Sequence, residues 1–220
     1  MEIIEVTDPD TLSAVHAELV VPNFPPAERG GVSEFVAAVV SGRSEVLVAC
    51  RDEQLAGVAV SDCFPGAEDI VLLAWLAISP RARSGGLGGS LLQEAVARWS
   101  SRGHVVAEIE FPDSTSAHPD HGDPRARARF YQRHGAMVID IPYVQPSMGP
   151  GLPRIPMLLV LLPPQSGRAP SSLPTEPLRR FMNAYFGADV AEHDEDEDLR
   201  KIDEALAGDA VSLIPLNVES

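Results

Sequence analysis

The sequence predicts a mixed α/β fold, with a sheet of six or seven strands, about four flanking helices and a helical extension at the C-terminus. One supporting feature is the apolar run 70–78, as expected for a central strand covered on both faces. A second is the segment that follows, where Leu87, Leu91 and Trp99 share one face of a helix. A third is the alternation of strand-like and helix-like segments along most of the chain.

Each element has its own local signal. The segments 45–50 and 55–60 are rich in β-branched residues and flank a short polar stretch, as in a hairpin. Ser79-Pro80 ends the central strand, and Gly103 ends the helix that starts at Leu87. The predicted strands are 2–6, 45–50, 55–60, 70–78, 104–111, 137–144 and 155–162, and the other predicted helices are 9–20, about 27–40 and 123–134.

Composition divides the chain into three parts. Residues 1–163 hold the alternating elements, and 164–177 are rich in proline, which fixes the backbone and offers little to bury, so a linker is predicted. Residues 178–220 are predicted to be an acidic helical tail, whose first helix has an aromatic-rich stripe: Leu178, Phe181, Met182, Tyr185 and Phe186. The stripe is expected to dock on its own domain, with a homodimer contact or a cover over the acceptor site as alternatives.

Charge and apolar content exclude several classes of protein. The chain has 17 Lys and Arg against 32 Asp and Glu, a formal charge of −15, which disfavours nucleic acid as a partner. Apolar runs fall short of the roughly 18 residues of a membrane span, and the N-terminus does not read as a secretory signal. Cys50 and Cys63 are too few for a disulfide framework or a four-thiolate metal site. A cytoplasmic protein without a membrane partner is therefore expected.

A glycine-rich loop between the central strand and the next helix is the most specific feature. Its glycines are Gly85, Gly86, Gly88 and Gly89. At a helix N-terminus the main-chain N–H groups lack helical partners, and glycine lets an anion approach them, so a diphosphate site is inferred. The alternative is a strand-to-helix turn without a ligand. A P-loop is excluded because no lysine precedes Lys201, and the spacing does not fit a dinucleotide fingerprint.

Two motifs in register resemble the GNAT superfamily of N-acetyltransferases. Arg83-Ser-Gly-Gly-Leu-Gly88, after a strand ending at Ile78, is similar to the family signature Arg/Gln-x-x-Gly-x-Gly/Ala. About forty residues on, Phe130-Tyr131 followed by Gly135 looks like the end of the family's last motif helix, with Ala136 in place of the usual aromatic residue. The order of elements also agrees. The resemblance covers roughly residues 1–162 and leaves the tail unexplained.

The resemblance implies acetyl-CoA as co-substrate and acyl transfer from a thioester to an amine. In the family the central strand and the next strand splay apart, and the coenzyme arm lies in the gap. The implied coenzyme-binding residues are Ala77, Ile78, Arg83, Ser84, Gly85, Gly86, Leu87, Gly88 and Gly89. The Ile78 N–H is implied to polarise the thioester carbonyl, and Tyr131 to protonate the leaving thiolate. The alternative for Tyr131 is a core aromatic residue beside Phe130.

The general base is less well defined by the sequence. Leu72 stands where several family members carry a glutamate. Glu108 and Glu110 lie on one face of the following strand, where either could deprotonate the acceptor directly or through water, and Glu110 is assigned as catalytic together with Tyr131. An ordinary solvated face is the alternative for both acids.

The predicted function is acetyl transfer to a primary amine of a small molecule or peptide. Acids in the loop after residue 111, among them Asp113, favour a cationic acceptor. His118, Asp120, His121 and Asp123 suggest a metal site, but the loop lacks a scaffold to fix ligand geometry, so no metal is predicted. The alternatives are a non-catalytic acyl-CoA-binding regulator of the same fold and an interaction module that acts through its acidic tail.

Overall fold

The computed structural model describes residues 2–83, 85–113, 123–147, 151–164, 170–187 and 196–218. The strands are β1 (Glu2–Glu5), β2 (Ser44–Arg51), β3 (Gln54–Cys63), β4 (Ile70–Ile78), β5 (His104–Ile109), β6 (Met137–Ile139), β7 (Val144–Gln145), β8 (Ile155–Pro156), β9 (Leu158–Leu161), β10 (Ser172–Pro174) and β11 (Ala210–Pro215). The helices are α1 (Pro9–Val15), α2 (Val32–Val40), α3 (Leu87–Trp99), α4 (Pro124–Arg133), α5 (Thr175–Phe186) and α6 (Glu197–Ala205). Helix α1 continues as a π-type segment over His16–Val20, and 3₁₀ turns cover Pro26–Glu28 and Pro80–Ala82.

Within the described residues, nine strands form one mixed sheet in the order β1-β2-β3-β4-β5-β9-β6-β11-β10, while β7 and β8 form a separate ribbon. Strands β4 and β5 are parallel, and the other neighbours are antiparallel. Helices α3 and α4 pack on one face of this sheet, and α1, α2, α5 and α6 contribute to two apolar clusters on the other. Burial of the sheet on both faces explains the continuous apolar sequence of β4.

The sheet forks between β4 and β5. The two strands pair from Ile70 and His104 as far as Leu73 and Ala107, whereas β4 continues to Ile78. On its other side, β4 has a bulge against β3: Leu73 pairs with Ser61, Trp75 pairs with Val60, and the intervening residue is skipped. A bulge bends a strand and increases its twist. The splay implied by the family resemblance is therefore present.

Helix α2 begins later than the sequence predicts. The helix was expected from about residue 27, but it starts at Val32 with Gly31 as its N-cap, where the Glu34 carboxylate accepts a hydrogen bond from the Gly31 N–H at 3.0 Å. The two adjacent glycines, Gly30 and Gly31, disfavour helix because they lose the most backbone entropy on ordering. The residues before them form a connection that passes over the fork.

The C-terminal part of the chain, predicted to be a linker and a helical tail, contains two strands as well as two helices. Helices α5 and α6 form, and Leu178, Phe181 and Met182 dock on the same chain as expected. However, β11 pairs with β6 and extends the main sheet, and β10 pairs with β11 inside the stretch predicted to be a linker. Val211 and Leu213 alternate with exposed neighbours along β11, so the strand buries one face. We call residues 170–218 the C-terminal extension.

Across the residues that the structure describes, no helix is both long and apolar enough to span a bilayer.

Candidate active site

The N-terminus of α3 presents main-chain amides to a surface groove of about 540 Å³. Gly86 caps the helix at a φ of 73°, a left-handed conformation that glycine adopts without strain. The Ser90 N–H donates to the Gly86 carbonyl at 3.1 Å, so the helical ladder starts there. The N–H groups before Ser90 in the first turn have no acceptor within the helix. Together with the helix dipole they favour a bound anion.

Glycine at position 88 keeps the groove open beside the end of β4. A β-carbon on Gly88 would lie 3.4 Å from Ile78 Cγ1 and 3.5 Å from the Phe130 ring. An alanine would fit these distances, whereas a larger side chain would fill the space between α3, β4 and α4. Gly88, Ile78 and Phe130 also line the cavity in the fork, so the groove and the cavity adjoin.

The loop that carries the predicted anion site has two described arginines, Arg81 and Arg83. Arg83 is exposed, and its Nη2 donates to Asn23 Oδ1 at 2.9 Å, which ties the loop to the connection between α1 and α2. Gly85 is exposed, and the Leu87 side chain is buried in the core, so Leu87 offers the groove its main chain. Ser84, predicted as a further coenzyme contact, lies outside the described residues.

Strand pairing determines which β4 amides face the fork. The Ser79 N–H donates to the Ala56 carbonyl of β3 at 2.9 Å. Because inward and outward main-chain groups alternate along an antiparallel pair, the amide of Ala77 also points to β3, while those of Leu76 and Ile78 point into the fork. The geometry therefore places Ile78 as expected, assigns the Ala77 amide to the sheet, and adds Leu76, which the sequence did not identify.

The fork encloses a cavity of about 200 Å³. Both predicted acids, Glu108 and Glu110, line it, as expected for residues on one face of β5 and its continuation. The other lining residues used below are Phe24, Glu28, Trp75, Arg127, Tyr131, Gln145 and Met157. The wall thus combines three carboxylates with one guanidinium and several aromatic rings. Such a wall suits a cation with an apolar body.

Tyr131 belongs both to the core and to the cavity wall. Its side chain is 7% exposed, and its ring contacts Phe130 edge-on at a centroid distance of 5.3 Å. Burial raises the pKa of Tyr131 to about 12, and the positive charge of Arg127 opposes that shift. The phenol is therefore protonated throughout the neutral range and can donate a proton or a hydrogen bond into the cavity.

Glu110 pairs with an arginine next to Tyr131. The Arg127 guanidinium forms an ion pair with the Glu110 carboxylate, and both side chains are partly buried. Arg127 precedes Tyr131 by one helical turn on α4, so the two side chains lie on the same helix face. Glu110, Arg127 and Tyr131 therefore form one cluster in the cavity wall.

Glu108 is held by a separate network of three donors. Its Oε1 accepts from the Tyr143 hydroxyl at 2.5 Å, and its Oε2 accepts from Gln145 Nε2 at 2.9 Å and from the Tyr185 hydroxyl at 3.2 Å. Burial raises the pKa of Glu108, and these hydrogen bonds oppose the shift. The sequence reasoning did not identify the three partners as site residues. The signal that could have identified them is the presence of polar side chains in otherwise largely apolar segments.

Glu28 reaches the cavity from the connection between α1 and α2. Trp75 Nε1 donates to the Glu28 carbonyl oxygen at 3.2 Å and fixes this connection over β4. Burial raises the pKa of the Glu28 carboxyl, and the negative charge of Glu110 adds to the shift while Arg127 opposes it. The sequence missed Glu28 because residues 27–40 were predicted to be one helix.

Three of the four suggested metal ligands lie outside the described residues, since His118, Asp120 and His121 fall within 114–122. In the part of the chain that is described, no three His, Cys, Asp or Glu side chains are grouped as metal ligands.

Comparison with known proteins identifies the domain type. Residues 42–135 match the family model described as "Acetyltransferase (GNAT) domain". This segment contains the glycine loop, both forked strands and the end of α4. Over this segment the match confirms the resemblance to the GNAT superfamily read from the two sequence motifs. No curated protein matches the chain by sequence.

Solved structures show the same fold. A protein described as a GNAT-family acetyltransferase from Bacteroides thetaiotaomicron is 21% identical, with a TM-score of 0.65, covering 84% of this chain and 99% of that one. An acetyltransferase from Salmonella typhimurium, solved with its cofactor acetyl-CoA, is 21% identical, with a TM-score of 0.51, covering 77% of this chain and 97% of that one. The mixed sheet flanked by helices is thus that of the GNAT acyltransferases.

Proposed function

We propose that this GNAT protein is an acetyl-CoA-dependent N-acetyltransferase whose acceptor is a primary amine of a small cationic molecule or peptide. The observation that carries the proposal is the contact between two sites: the amide-lined groove at α3 leads into the forked cavity that holds Tyr131 and the Glu110–Arg127 pair. A carrier bound in the groove can place its acyl end in that cavity. The similar structure from Salmonella typhimurium was solved with acetyl-CoA as its cofactor, which supports this choice of carrier.

Acetyl-CoA supplies the acetyl group as a thioester. The first-turn amides of α3 are suited to its diphosphate, and the Leu76 and Ile78 amides are suited to hydrogen bonding with an extended arm in the fork. The Ile78 N–H, at the end of β4, stabilises negative charge on the carbonyl oxygen as the amine attacks. These contacts use main-chain groups that the fold already positions, so they require little reorganisation.

Glu110 takes the proton that the attacking amine must lose. A lysine-like amine with a pKa of about 10.4 costs about 4.6 kcal/mol to present in its neutral form at pH 7. The acidic wall attracts the ammonium form, and a carboxylate within the cavity then receives the proton directly or through water. Arg127 holds the Glu110 carboxylate beside Tyr131, where the reacting atoms meet.

Tyr131 donates to the departing sulfur as the carbon–sulfur bond breaks. Full proton transfer from a phenol with a pKa of about 12 to a thiolate of ordinary pKa, about 8.5, is uphill by about 4.8 kcal/mol. Tyr131 is therefore most effective when it regains a proton from the acceptor side in the same step. An ammonium acceptor gives up two protons in all: one reaches the sulfur by way of Tyr131, and the other passes through Glu110 to solvent. The products are an amide, a free thiol and one released proton, and the protein returns to its starting protonation state.

The test is thiol release measured for wild type, Tyr131→Phe and Glu110→Gln with a panel of primary amines. Each variant should lose about 10²- to 10⁴-fold in kcat, the usual effect of removing a general acid or base, while calorimetry finds acetyl-CoA affinity within about threefold of wild type. Glu94→Gln, an exposed carboxamide substitution on α3, is the matched control and should match wild type. Binding of acetyl-CoA without turnover of any amine would favour the non-catalytic alternative.

A further inference from the structure

Gln145 has a buried hydrogen-bond acceptor without a partner. This β7 residue lines the cavity and is 6% exposed, and its Nε2 donates to Glu108, which fixes the orientation of the amide. Its Oε1 is buried and accepts no hydrogen bond. A buried acceptor left unpaired is unfavourable and rare in native proteins, so the site calls for a donor supplied from outside the chain.

Glu108 provides further acceptor capacity beside it. A carboxylate has about four lone-pair positions, and the donors from Tyr143, Gln145 and Tyr185 occupy three of them. One position on Oε1 remains for a ligand. The corner formed by Glu108 and Gln145 therefore offers acceptors, while one Gln145 N–H and the hydroxyls of Tyr143 and Tyr185 already donate to Glu108. A group with several N–H bonds and a positive charge matches it.

The corner formed by Glu108 and Gln145 lies deeper in the fork than Glu110 and Tyr131, where the acetyl transfer is proposed to occur. Glu108 and Glu110 are two residues apart on an extended chain, which separates them by about 7 Å at roughly 3.3 to 3.4 Å per residue. Pairing of β4 with β5 ends at Leu73 and Ala107, so Glu108 is the first residue beyond the last pair, at the closed end of the fork, and Glu110 lies nearer its open end. A ligand that reaches both acids must place two groups about 7 Å apart.

The net charge of the cavity wall independently favours a ligand with two positive charges. The cavity wall carries the carboxylates of Glu28, Glu108 and Glu110 and the guanidinium of Arg127. With all four groups ionised, the wall has an excess of two negative charges. A monovalent amine leaves one of these uncompensated in a partly desolvated site, whereas a dication balances both.

We propose that the acceptor is a small diamine, whose second ammonium group binds between Glu108 and Gln145 while its reacting nitrogen lies beside Glu110 and Tyr131. This inference rests on the proposed acetyltransferase function and names its substrate class. An extended four-carbon diamine spans about 6 Å between nitrogens, for bond lengths near 1.5 Å and angles near 111°, which fits the separation of the two acids. The reacting nitrogen bonds to the acetyl carbon as the carbon–sulfur bond breaks, and of its two lost protons one reaches the sulfur through Tyr131 and the other passes through Glu110 to solvent. The second nitrogen stays an ammonium ion.

The experiment compares 1,4-diaminobutane with pentylamine, in which a methyl group replaces the second ammonium. For wild type, kcat/KM for the diamine should exceed that for pentylamine by about 10- to 100-fold, the usual effect of a charge-assisted hydrogen bond. Glu108→Gln and Gln145→Met should each reduce this ratio by at least about tenfold through loss of diamine activity. Glu94→Gln should keep the wild-type ratio.

The possible failures are distinguishable. Equal or better turnover of pentylamine by wild type overturns the diamine inference and leaves the acetyltransferase function intact. A ratio that persists in Glu108→Gln shows that the corner does not hold the second nitrogen and also overturns the inference. Failure of every primary amine to release thiol instead overturns the proposed function. If Gln145→Met does not fold, wild type and Glu108→Gln still decide the question.

Discussion

Replacing Phe181 with alanine tests whether the C-terminal extension is part of the domain's core. Phe181 lies on α5 with 0% exposure, and its ring contacts Phe64 at 5.5 Å and Tyr185 at 5.4 Å. Truncating a fully buried phenylalanine typically costs about 3 to 5 kcal/mol through lost burial and the cavity left behind. Domains of this type have a total stability of about 5 to 15 kcal/mol, so the change is a large fraction.

The assay is urea denaturation followed by tryptophan fluorescence. Both tryptophans lie outside the extension, Trp75 in β4 and Trp99 in α3, and they belong to different apolar clusters from Phe181. With a slope of about 2 to 3 kcal/mol per molar urea, the Phe181→Ala midpoint should fall by about 1 to 2 M. The matched control is Phe111→Ala, at a residue that is 43% exposed, which should shift the unfolding free energy by no more than about 0.5 kcal/mol.

A separate helical tail gives a different result. In that case the extension unfolds first, the tryptophan midpoint of Phe181→Ala equals that of wild type, and a chain ending near residue 163 keeps its thiol release. Such an outcome would refute the reasoning that β11 and α5 complete one cooperative unit. The shared sheet and the shared cluster require instead that the tryptophans and the extension unfold together.

The remaining predictions concern the groove and the titrating groups. Gly86→Ala places a β-carbon at a left-handed φ of 73°, at a cost of about 1 to 2 kcal/mol, so calorimetry should find acetyl-CoA binding weakened by about 5- to 30-fold or the unfolding midpoint lowered correspondingly. Since Tyr131 acts in its protonated form and its pKa is about 12, the pH profile of kcat should show no alkaline decline from this group below about pH 10, and an earlier decline that is absent in Tyr131→Phe would contradict the assignment. Because the pKa of Glu108 is raised, the folded state binds that proton more tightly, and stability falls as pH rises from the ordinary carboxyl value through the raised one. Urea midpoints of Glu108→Gln relative to wild type should therefore increase between pH 4 and 8, and a constant difference would argue against a raised pKa.

Local signals in the sequence predict the half of the fold that holds the proposed coenzyme groove, because the β4 run and the glycines before α3 each act within a few residues. The start of α4 is fixed in the same local way, with Asp123 accepting from the Arg125 N–H at 2.9 Å. Their spacing along the chain is enough to place Ile78 and Tyr131 on the same cavity.

The acceptor half depends on contacts that are distant in sequence. The Glu108 network joins β5, the β6–β7 connection and α5, and the bond to Tyr185 spans 77 positions of the chain. Strand β11 consists of only six residues, and its pairing with β6 supplies the order that its own sequence does not. The position of Glu28 in the cavity wall depends on where α2 begins. The two adjacent glycines, Gly30 and Gly31, determine that start more strongly than the helical spacing of the apolar residues that follow.

The hydrogen bond from Tyr185 to Glu108 shows that the proposed carrier groove and the proposed acceptor cavity depend on different parts of the chain. The groove proposed for the nucleotide carrier is lined by the end of β4, the loop after it, α3 and α4, whereas the floor of the proposed acceptor cavity depends on α5. Changes in α5 can thus retune the choice of amine while leaving the carrier's own contacts untouched. Directed evolution toward new amines would sensibly begin there, with libraries at residues that face Glu108.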